Sequence, residues 1–303
     1  MKEIIGKTPL IEIDYLSQRC GATILAKAEF LNPAGSVKDR IAHRMISEAI
    51  REGKITKDTL VIEATSGNTG IALAAVCAAR GLRLSIVMPE SMSIERRLVM
   101  THLGAEVVLT PADKGMAGAV ERAEELASSM KNTFLTRQFE NPENPNAHYF
   151  GTGPEILEDV GSERIDIFVA GVGTGGTLSG TARALKESFP DMKSVAVEPA
   201  SSAVIGGDLP GAHAIEGIGA GFIPKVLDIS ILDETISVTD DEAFRYAREA
   251  ARSAGLLVGV SSGANLAAAE KLASRPENRG ASIVTILPDG AERYLSGKLL
   301  DAK

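Results

Sequence analysis

Apolar positions along this chain recur at two different spacings, and the places where the spacing changes mark where strands hand over to helices. Ile41, Met45, Ile46, Ala49 and Ile50 fall at helical intervals after Lys38 and stop before Gly53. With Ser36 and Asp39 read as a capping box, they predict a helix whose first turn holds Lys38. From Thr59 the alternation becomes regular. Residues 59–63, 84–88, 106–109 and 133–136 read as strands, with helices over 69–80, 93–103 and 115–130 between them. The run Asn141-Pro142-Glu143-Asn144-Pro145-Asn146 breaks the pattern and is the expected interdomain crossing. A second block follows, with strands over 165–170, 194–197 and 282–287 and helices over 177–187, 240–254 and 263–272. The glycine-rich stretch 201–228 is weakly periodic and is assigned to no element. Each block predicts an open, mainly parallel sheet with helices on both faces, an α/β fold.

Composition narrows the classes of function. With 44% apolar residues the chain can bury a core, and its net charge of -8, without a basic cluster, disfavours nucleic acid and anionic membrane surfaces. The longest apolar run, 71–79, is alanine-rich, falls short of a membrane span and reads as a buried helix. The N-terminus lacks the pattern of a signal peptide, and Cys20 and Cys77 fall in different elements, so a cytoplasmic location with reduced thiols is expected. His43, His102, His148 and His213 are scattered and none pairs with a cysteine at ligand spacing, which argues against a metal. Tryptophan is absent, and a stacking surface for single strands is not expected.

Three turns fall where strands meet helices, the positions at which open α/β sheets bind ligands. In Thr65-Ser66-Gly67-Asn68-Thr69-Gly70, small residues let the backbone approach a ligand and the helix start offers N–H groups to a carboxylate. Taken alone, it reads as a capped turn. In Gly171-Val172-Gly173-Thr174-Gly175-Gly176-Thr177, backbone N–H groups at a helix start make a phosphate cradle. Gly171, Gly173 and Gly176 also have the spacing of a dinucleotide fingerprint, and Glu198 follows at about the 20-residue offset of a ribose-binding acid. The third, Gly259-Val260-Ser261-Ser262-Gly263, is a tight turn with hydroxyls.

Lys38 is the most informative residue. A lysine in the first turn of a helix faces the positive end of the dipole, which disfavours its ammonium form and suits an amine that must attack a carbonyl. By position alone, a solvated lysine near a cap is the stronger reading. Joined to a phosphate cradle and a carboxylate-binding helix start, the lysine suits pyridoxal 5'-phosphate, which needs an amine, a phosphate site and a partner at its ring nitrogen. A nicotinamide-binding protein is the rival on spacing. It leaves the lysine loop unexplained and puts its glycine loop after a complete α/β block.

These loops, in this order, resemble the cysteine synthase/cystathionine β-synthase family of fold type II pyridoxal-phosphate enzymes, and within it the cysteine synthases (O-acetylserine sulfhydrylases). The resemblance spans nearly the whole chain. It runs through Ile5-Gly6-Lys7-Thr8-Pro9-Leu10, Asn32-Pro33-Ala34-Gly35-Ser36-Val37-Lys38-Asp39-Arg40, loop 65–70 and Met88-Pro89-Glu90-Ser91-Met92-Ser93-Ile94-Glu95-Arg96-Arg97. It continues through Gln138-Phe139, loop 173–177, Gly217-Ile218-Gly219-Ala220-Gly221-Phe222-Ile223-Pro224, Ser261 and Glu292-Arg293-Tyr294-Leu295-Ser296.

The resemblance implies two open, mainly parallel twisted sheets flanked by helices. A smaller, mobile domain over 35–146 would carry the substrate loop, and a larger one over 1–34 plus 147–303 would bind the cofactor phosphate. Lys38 would form the internal aldimine and Asn68 hydrogen-bond the ring hydroxyl oxygen. Gly173, Thr174, Gly175, Gly176 and Thr177 would hold the phosphate. Thr65, Ser66, Asn68 and Thr69, with Gln138, match the site for the substrate α-carboxylate. Ser261 matches the residue at the pyridine nitrogen, where a hydroxyl makes the ring a weaker electron sink than a carboxylate would and suits β-elimination. The implied activity is a ping-pong β-replacement. O-acetyl-L-serine displaces Lys38, the freed amine takes the α-proton, acetate leaves to give an α-aminoacrylate intermediate, and sulfide adds to yield L-cysteine. Loop 65–70 is expected to close on the substrate. A homodimer and a serine acetyltransferase partner are also implied.

Several positions depart from the pattern or fall outside it. Asp289-Gly290-Ala291 stands where Ser-Ser-Gly is expected; Asp289 either alters the electrostatics near the ring or is a solvated turn aspartate, the preferred reading. Ala147-His148-Tyr149 resembles cystathionine β-synthases and the second type of bacterial sulfhydrylase, whereas Ala220-Gly221 is the small pair of cysteine synthases. No C-terminal regulatory domain and no haem-binding extension are expected. The alternative within the fold is another pairing, with homocysteine as acceptor or with cysteine as donor releasing hydrogen sulfide. A binding protein with little turnover is the alternative outside it, against which stand Lys38 and the carboxylate loop. Arg96 and Arg97 are expected on an exposed helix face with Glu95, Cys77 in the core, and His148 in no catalytic role.

Overall fold

The structure, a computed structural model, describes residues 2–294 and 297–300, so Leu295 and Ser296 of the 292–296 motif lie outside the described residues. The chain forms two compact units, Met1–Ile5 with Lys38–Asn144 and Gly6–Val37 with Pro145–Lys303. Its strands are β1 (Leu10–Glu12), β2 (Thr23–Lys27), β3 (Leu60–Ala64), β4 (Arg83–Pro89), β5 (Glu106–Thr110), β6 (Thr133–Leu135), β7 (Ile167–Gly171), β8 (Lys193–Pro199), β9 (Glu234–Val238) and β10 (Ser282–Ile286). The helices are α1 (Asp14–Cys20), α2 (Lys38–Arg51), α3 (Asn68–Arg80), α4 (Ile94–His102), α5 (Gly115–Ser129), α6 (Glu143–Ala147), α7 (Gly153–Val160), α8 (Gly176–Ser188), α9 (Asp240–Ala254) and α10 (Val260–Ala273).

The first unit holds a four-stranded parallel sheet in the order β5-β4-β3-β6. In the second, six strands run β1-β2-β10-β7-β8-β9, and only the β1–β2 pair is antiparallel. Both sheets are thus open and mainly parallel. Their central strands read as apolar runs because helices cover both faces. The run 71–79 lies in α3, whose residues Thr69 to Cys77 are all buried. Among the described residues no helix is long and apolar enough to cross a membrane.

The structure differs from the sequence expectations at four places. Elements β1, β2, α1, α7 and β9 were not expected; β1 has three residues, too few for a period to show. The proline- and asparagine-rich run is not a bare linker, because α6 begins inside it and is followed by a π-helical turn, His148–Thr152. Pro145 is tolerated there because it lies in the first turn, whose N–H groups have no helical acceptor. Asn141 Oδ1 accepts from the Glu143 N–H at 3.0 Å, and the Asn144 side chain donates to the Gln138 carbonyl at 2.7 Å. Helix α2 starts at Lys38, so Val37 rather than Ser36 precedes it, and the Ser36 backbone is bridged instead to Asp289. Helix α10 begins at Val260, not at Gly263, so Ser261 and Ser262 belong to its first turn. Gly263 is no helix start: a Cβ there would run into the Ala243 carbonyl oxygen of α9, and the glycine lets the two helices pack closely.

Candidate active site

In the first unit, Lys38 opens α2 and is half-buried. Loop 65–70 leaves the end of β3 and enters α3 at Asn68, with Thr65 and Thr69 buried and Ser66, Gly67 and Asn68 half-buried. The Thr65 N–H donates to the Val87 carbonyl at 3.1 Å, which ties the loop to β4. The Thr69 hydroxyl donates to Gln138 Oε1 at 2.7 Å. The fold thus joins two candidate residues far apart in the chain. The Arg96 and Arg97 side chains are half-buried, not spread on an exposed face. Arg96 donates to the Ser66 carbonyl at 3.4 Å, and Arg97 to the carbonyls of Glu90 and Met92. Carbonyls left over at turns attract guanidinium donors, and residue spacing does not reveal which ones.

Sequence reasoning missed Glu63, the residue of β3 two positions before the loop. It is buried, and its Oε2 accepts from the Thr136 hydroxyl and, at 2.9 Å, from the Arg137 N–H. Burial pushes its carboxyl up to about 7, while hydrogen bonds from Thr136, Arg137 and the backbone and side-chain amides of Gln138 oppose that rise. The signal was present: an acid inside the apolar run Leu60-Val61-Ile62-Glu63-Ala64 needs an internal partner.

The second unit holds the glycine loop between β7 and α8. Gly175 has φ +85°, and a Cβ on it would lie 2.7 Å from the Leu227 Cβ. A Cβ on Gly173 would meet the Gly217 carbonyl oxygen. Both positions therefore require glycine. The Gly176 N–H donates to Thr174 Oγ1 at 3.4 Å. His148, given no role on sequence, is buried and pairs with Thr177 Oγ1 at 3.2 Å through Nε2 and with Thr152 Oγ1 at 2.9 Å through Nδ1. It therefore steadies one hydroxyl of the loop.

Glu198 accepts from the backbone N–H groups of Ile205 at 2.7 Å and Gly206 at 2.8 Å. The nicotinamide reading thus finds its expected ribose acid already engaged by the backbone. Asp289 is no solvated turn residue, because it is buried and its Oδ2 accepts from the Tyr294 hydroxyl at 2.6 Å. Ser261 is buried in the first turn of α10, near Gly217, whose added Cβ would sit 3.7 Å from the Ser261 Oγ. Lys27 is more buried than Lys38, but its Nζ donates to Asp159 at 2.8 Å and to the Thr8 carbonyl, with Glu155 at 3.3 Å. It is not a spare amine.

Residues 1–289 match the family described as pyridoxal-phosphate dependent enzyme. The chain belongs to that family. As a member of the pyridoxal-phosphate dependent enzymes it is 49% identical over 300 residues to cysteine synthase B of Campylobacter jejuni, covering 99% of this chain and 97% of the relative. The cysteine synthase of Entamoeba histolytica superposes with a TM-score of 0.96 at 43% identity, over 99% of this chain and 90% of the other. An O-acetylserine dependent cystathionine beta-synthase from Helicobacter pylori superposes at 0.92 and 44% identity, over 99% and 97%. The residues fit the family's cofactor. The start of α8 provides a loop whose glycines cannot bear a Cβ, and the buried Ser262 hydroxyl, next to Ser261, has no hydrogen-bond partner among the described residues.

Proposed function

We propose that this pyridoxal-phosphate dependent enzyme makes L-cysteine from O-acetyl-L-serine and sulfide by β-replacement. Near-full-length identity to a cysteine synthase carries the reading. When bound, the cofactor supplies an electron sink for the substrate's α-carbon. Lys38 is the amine that holds the cofactor and, once displaced by the donor, takes the α-proton on its Nζ. Thr65, Ser66, Asn68 and Thr69, with Gln138, bind the donor's α-carboxylate at the start of α3, where the helix dipole and first-turn N–H groups favour an anion. Asn68 also bonds the ring hydroxyl oxygen.

Gly173, Thr174, Gly175, Gly176 and Thr177 hold the phosphate at the start of α8, and Ser261 bonds the ring nitrogen. A hydroxyl there does not stabilise a protonated ring as a carboxylate would, so departure of acetate from the β-carbon is favoured over reprotonation at the α-carbon. Sulfide then adds to the β-carbon, and Lys38 Nζ returns its proton to the α-carbon. Closure of loop 65–70 over the carboxylate excludes water. The substrate loop belongs to a smaller, mobile domain over 35–146 and the phosphate site to a larger one over 1–34 plus 147–303. The enzyme acts in the cytoplasm as a homodimer, with serine acetyltransferase as a partner.

The visible spectrum of the holoenzyme tests this reading. Adding O-acetylserine without sulfide should convert the cofactor band to a new stable one, and sulfide should restore the original. A band that ignores O-acetylserine would overturn the assigned donor. A second reading, with homocysteine as acceptor, is favoured by the Ala147-His148-Tyr149 run and by the likeness to the Helicobacter pylori structure. Steady-state comparison of the two acceptors separates them; cysteine as donor would instead release hydrogen sulfide.

A further inference from the structure

Beneath the glycine loop runs a short polar chain that lies wholly inside the second unit. Residues His148–Thr152 form a π-helical turn, a rare local form that recurs at functional sites, and Thr152 stands four residues beyond His148. Both side chains are buried. His148 Nδ1 lies 2.9 Å from Thr152 Oγ1, and on the other side of the ring Nε2 lies 3.2 Å from Thr177 Oγ1, in the first turn of α8. Two glycines let the π turn seat against that helix. A Cβ on Gly180 would run into the Pro145 carbonyl oxygen and lie 2.9 Å from the His148 Cβ, and one on Gly153 would run into the Ala184 Cβ. Backbone packing thus places the ring.

The direction of the chain follows from where each proton can go. A neutral imidazole donates from one nitrogen and accepts at the other. Among the described residues the Thr152 hydroxyl has one hydrogen-bond partner, His148 Nδ1, and the residue is fully buried. Were the ring proton on Nδ1, Thr152 would have to accept, and its own proton would be buried without an acceptor, which is costly. Thr152 therefore donates to Nδ1, and the ring proton sits on Nε2. From there it is donated to Thr177 Oγ1. Thr177 is half-buried and its hydroxyl has no other partner among the described residues, so the Thr177 proton is left for a ligand.

We infer that Thr152 and His148 are positioning residues that fix the ring proton on Nε2 and so reserve the Thr177 hydroxyl proton for the cofactor phosphate. The inference rests on the proposed phosphate role of loop 173–177. A phosphate oxygen accepts hydrogen bonds, and a hydroxyl that spends its one proton on a histidine cannot serve it. The relay turns Thr177 from a group with two possible roles into a dedicated donor beside the first-turn N–H groups of α8. A histidine that merely fills space has no such preference, and substitutions on its two sides would act independently.

Nitrogen-15 NMR of the holoenzyme labelled at histidine tests the direction without a substitution at either threonine, with His148→Gln identifying the signals of the ring. Nδ1 should be the unprotonated, hydrogen-bonded nitrogen and Nε2 the protonated one. Loss of the visible band on dialysis tests the consequence. Thr152→Val removes the donor to Nδ1 but keeps the side chain's shape. It should release the cofactor roughly fivefold faster, the worth of one neutral hydrogen bond. Thr152→Ser, which keeps the hydroxyl, should hold the cofactor as wild type does. Thr177→Val should also release it faster, and adding Thr152→Val to that variant should change the rate no further, because the relay then has no hydroxyl to direct.

A ring proton on Nδ1, or on both nitrogens, would overturn the inference. So would a Thr152→Val enzyme that keeps its cofactor like wild type, or two valine substitutions whose effects on release simply multiply. A Thr177→Val enzyme that holds the cofactor unchanged would strike the phosphate role of the loop, and the inference with it, and is recognisably a different result.

Discussion

Glu63 and His148 are buried side chains, the first bonded to Thr136 and the Arg137 N–H beside Gln138 and the second to Thr177 of the glycine loop, and neither carries a motif of its own. His148 shows how such a residue acts. Its two ring nitrogens pair with Thr152 and Thr177, so removing the ring leaves two hydroxyls without their partner. His148→Phe is expected to cost about 2 kcal/mol of stability and to release the cofactor more readily, because a buried hydroxyl without its partner loses about 1–3 kcal/mol. Dialysis against buffer, followed by the visible band, measures the release; His148→Gln, which restores one donor and one acceptor, should recover part of it. Lys38 was legible as a candidate because its position at a helix start was. That Lys27 is engaged was not legible, since its Nζ is held by Asp159 and Glu155, more than a hundred residues away, as well as by the Thr8 carbonyl.

Among the elements, helices with long apolar periods and glycine stops were legible to within a few residues; α9 spans the expected Asp240–Ala254 and ends at Gly255 in the left-handed conformation. Strand β1 was not, because its pairing with β2, not a period, makes it a strand. The start of α10 is hidden in the sequence because a glycine inside a helix reads as a boundary. Its role is to admit α9, and it has a measurable consequence. Gly263→Ala would press a methyl into the Ala243 carbonyl and lie 2.7 Å from the Ala247 nitrogen. It should therefore destabilise by roughly 2 kcal/mol, against the usual gain from replacing a helical glycine with alanine. Denaturant unfolding with the cofactor bound would show the sign.

Across the whole molecule, the buried acid links stability to pH. The carboxyl of Glu63 is raised from 4.5 to about 7, so its favourable contribution is complete below pH 4.5 and is lost as the pH rises through 7. Relative to Glu63→Gln, wild type should lose about 3 kcal/mol across that window and stay level above it. Denaturation curves of the two proteins across the window check it; parallel curves would mean that Glu63 does not ionise inside the fold. Sequence by itself determined the class of fold, the order of most elements and the loops where chemistry sits, because period, glycine stops and short motifs act over a few residues. Only the tertiary structure decided which polar groups meet. Thr69 with Gln138, Thr177 with His148 and Asp289 with Tyr294 are joined by packing, and a buried polar group takes whatever partner the fold brings within reach.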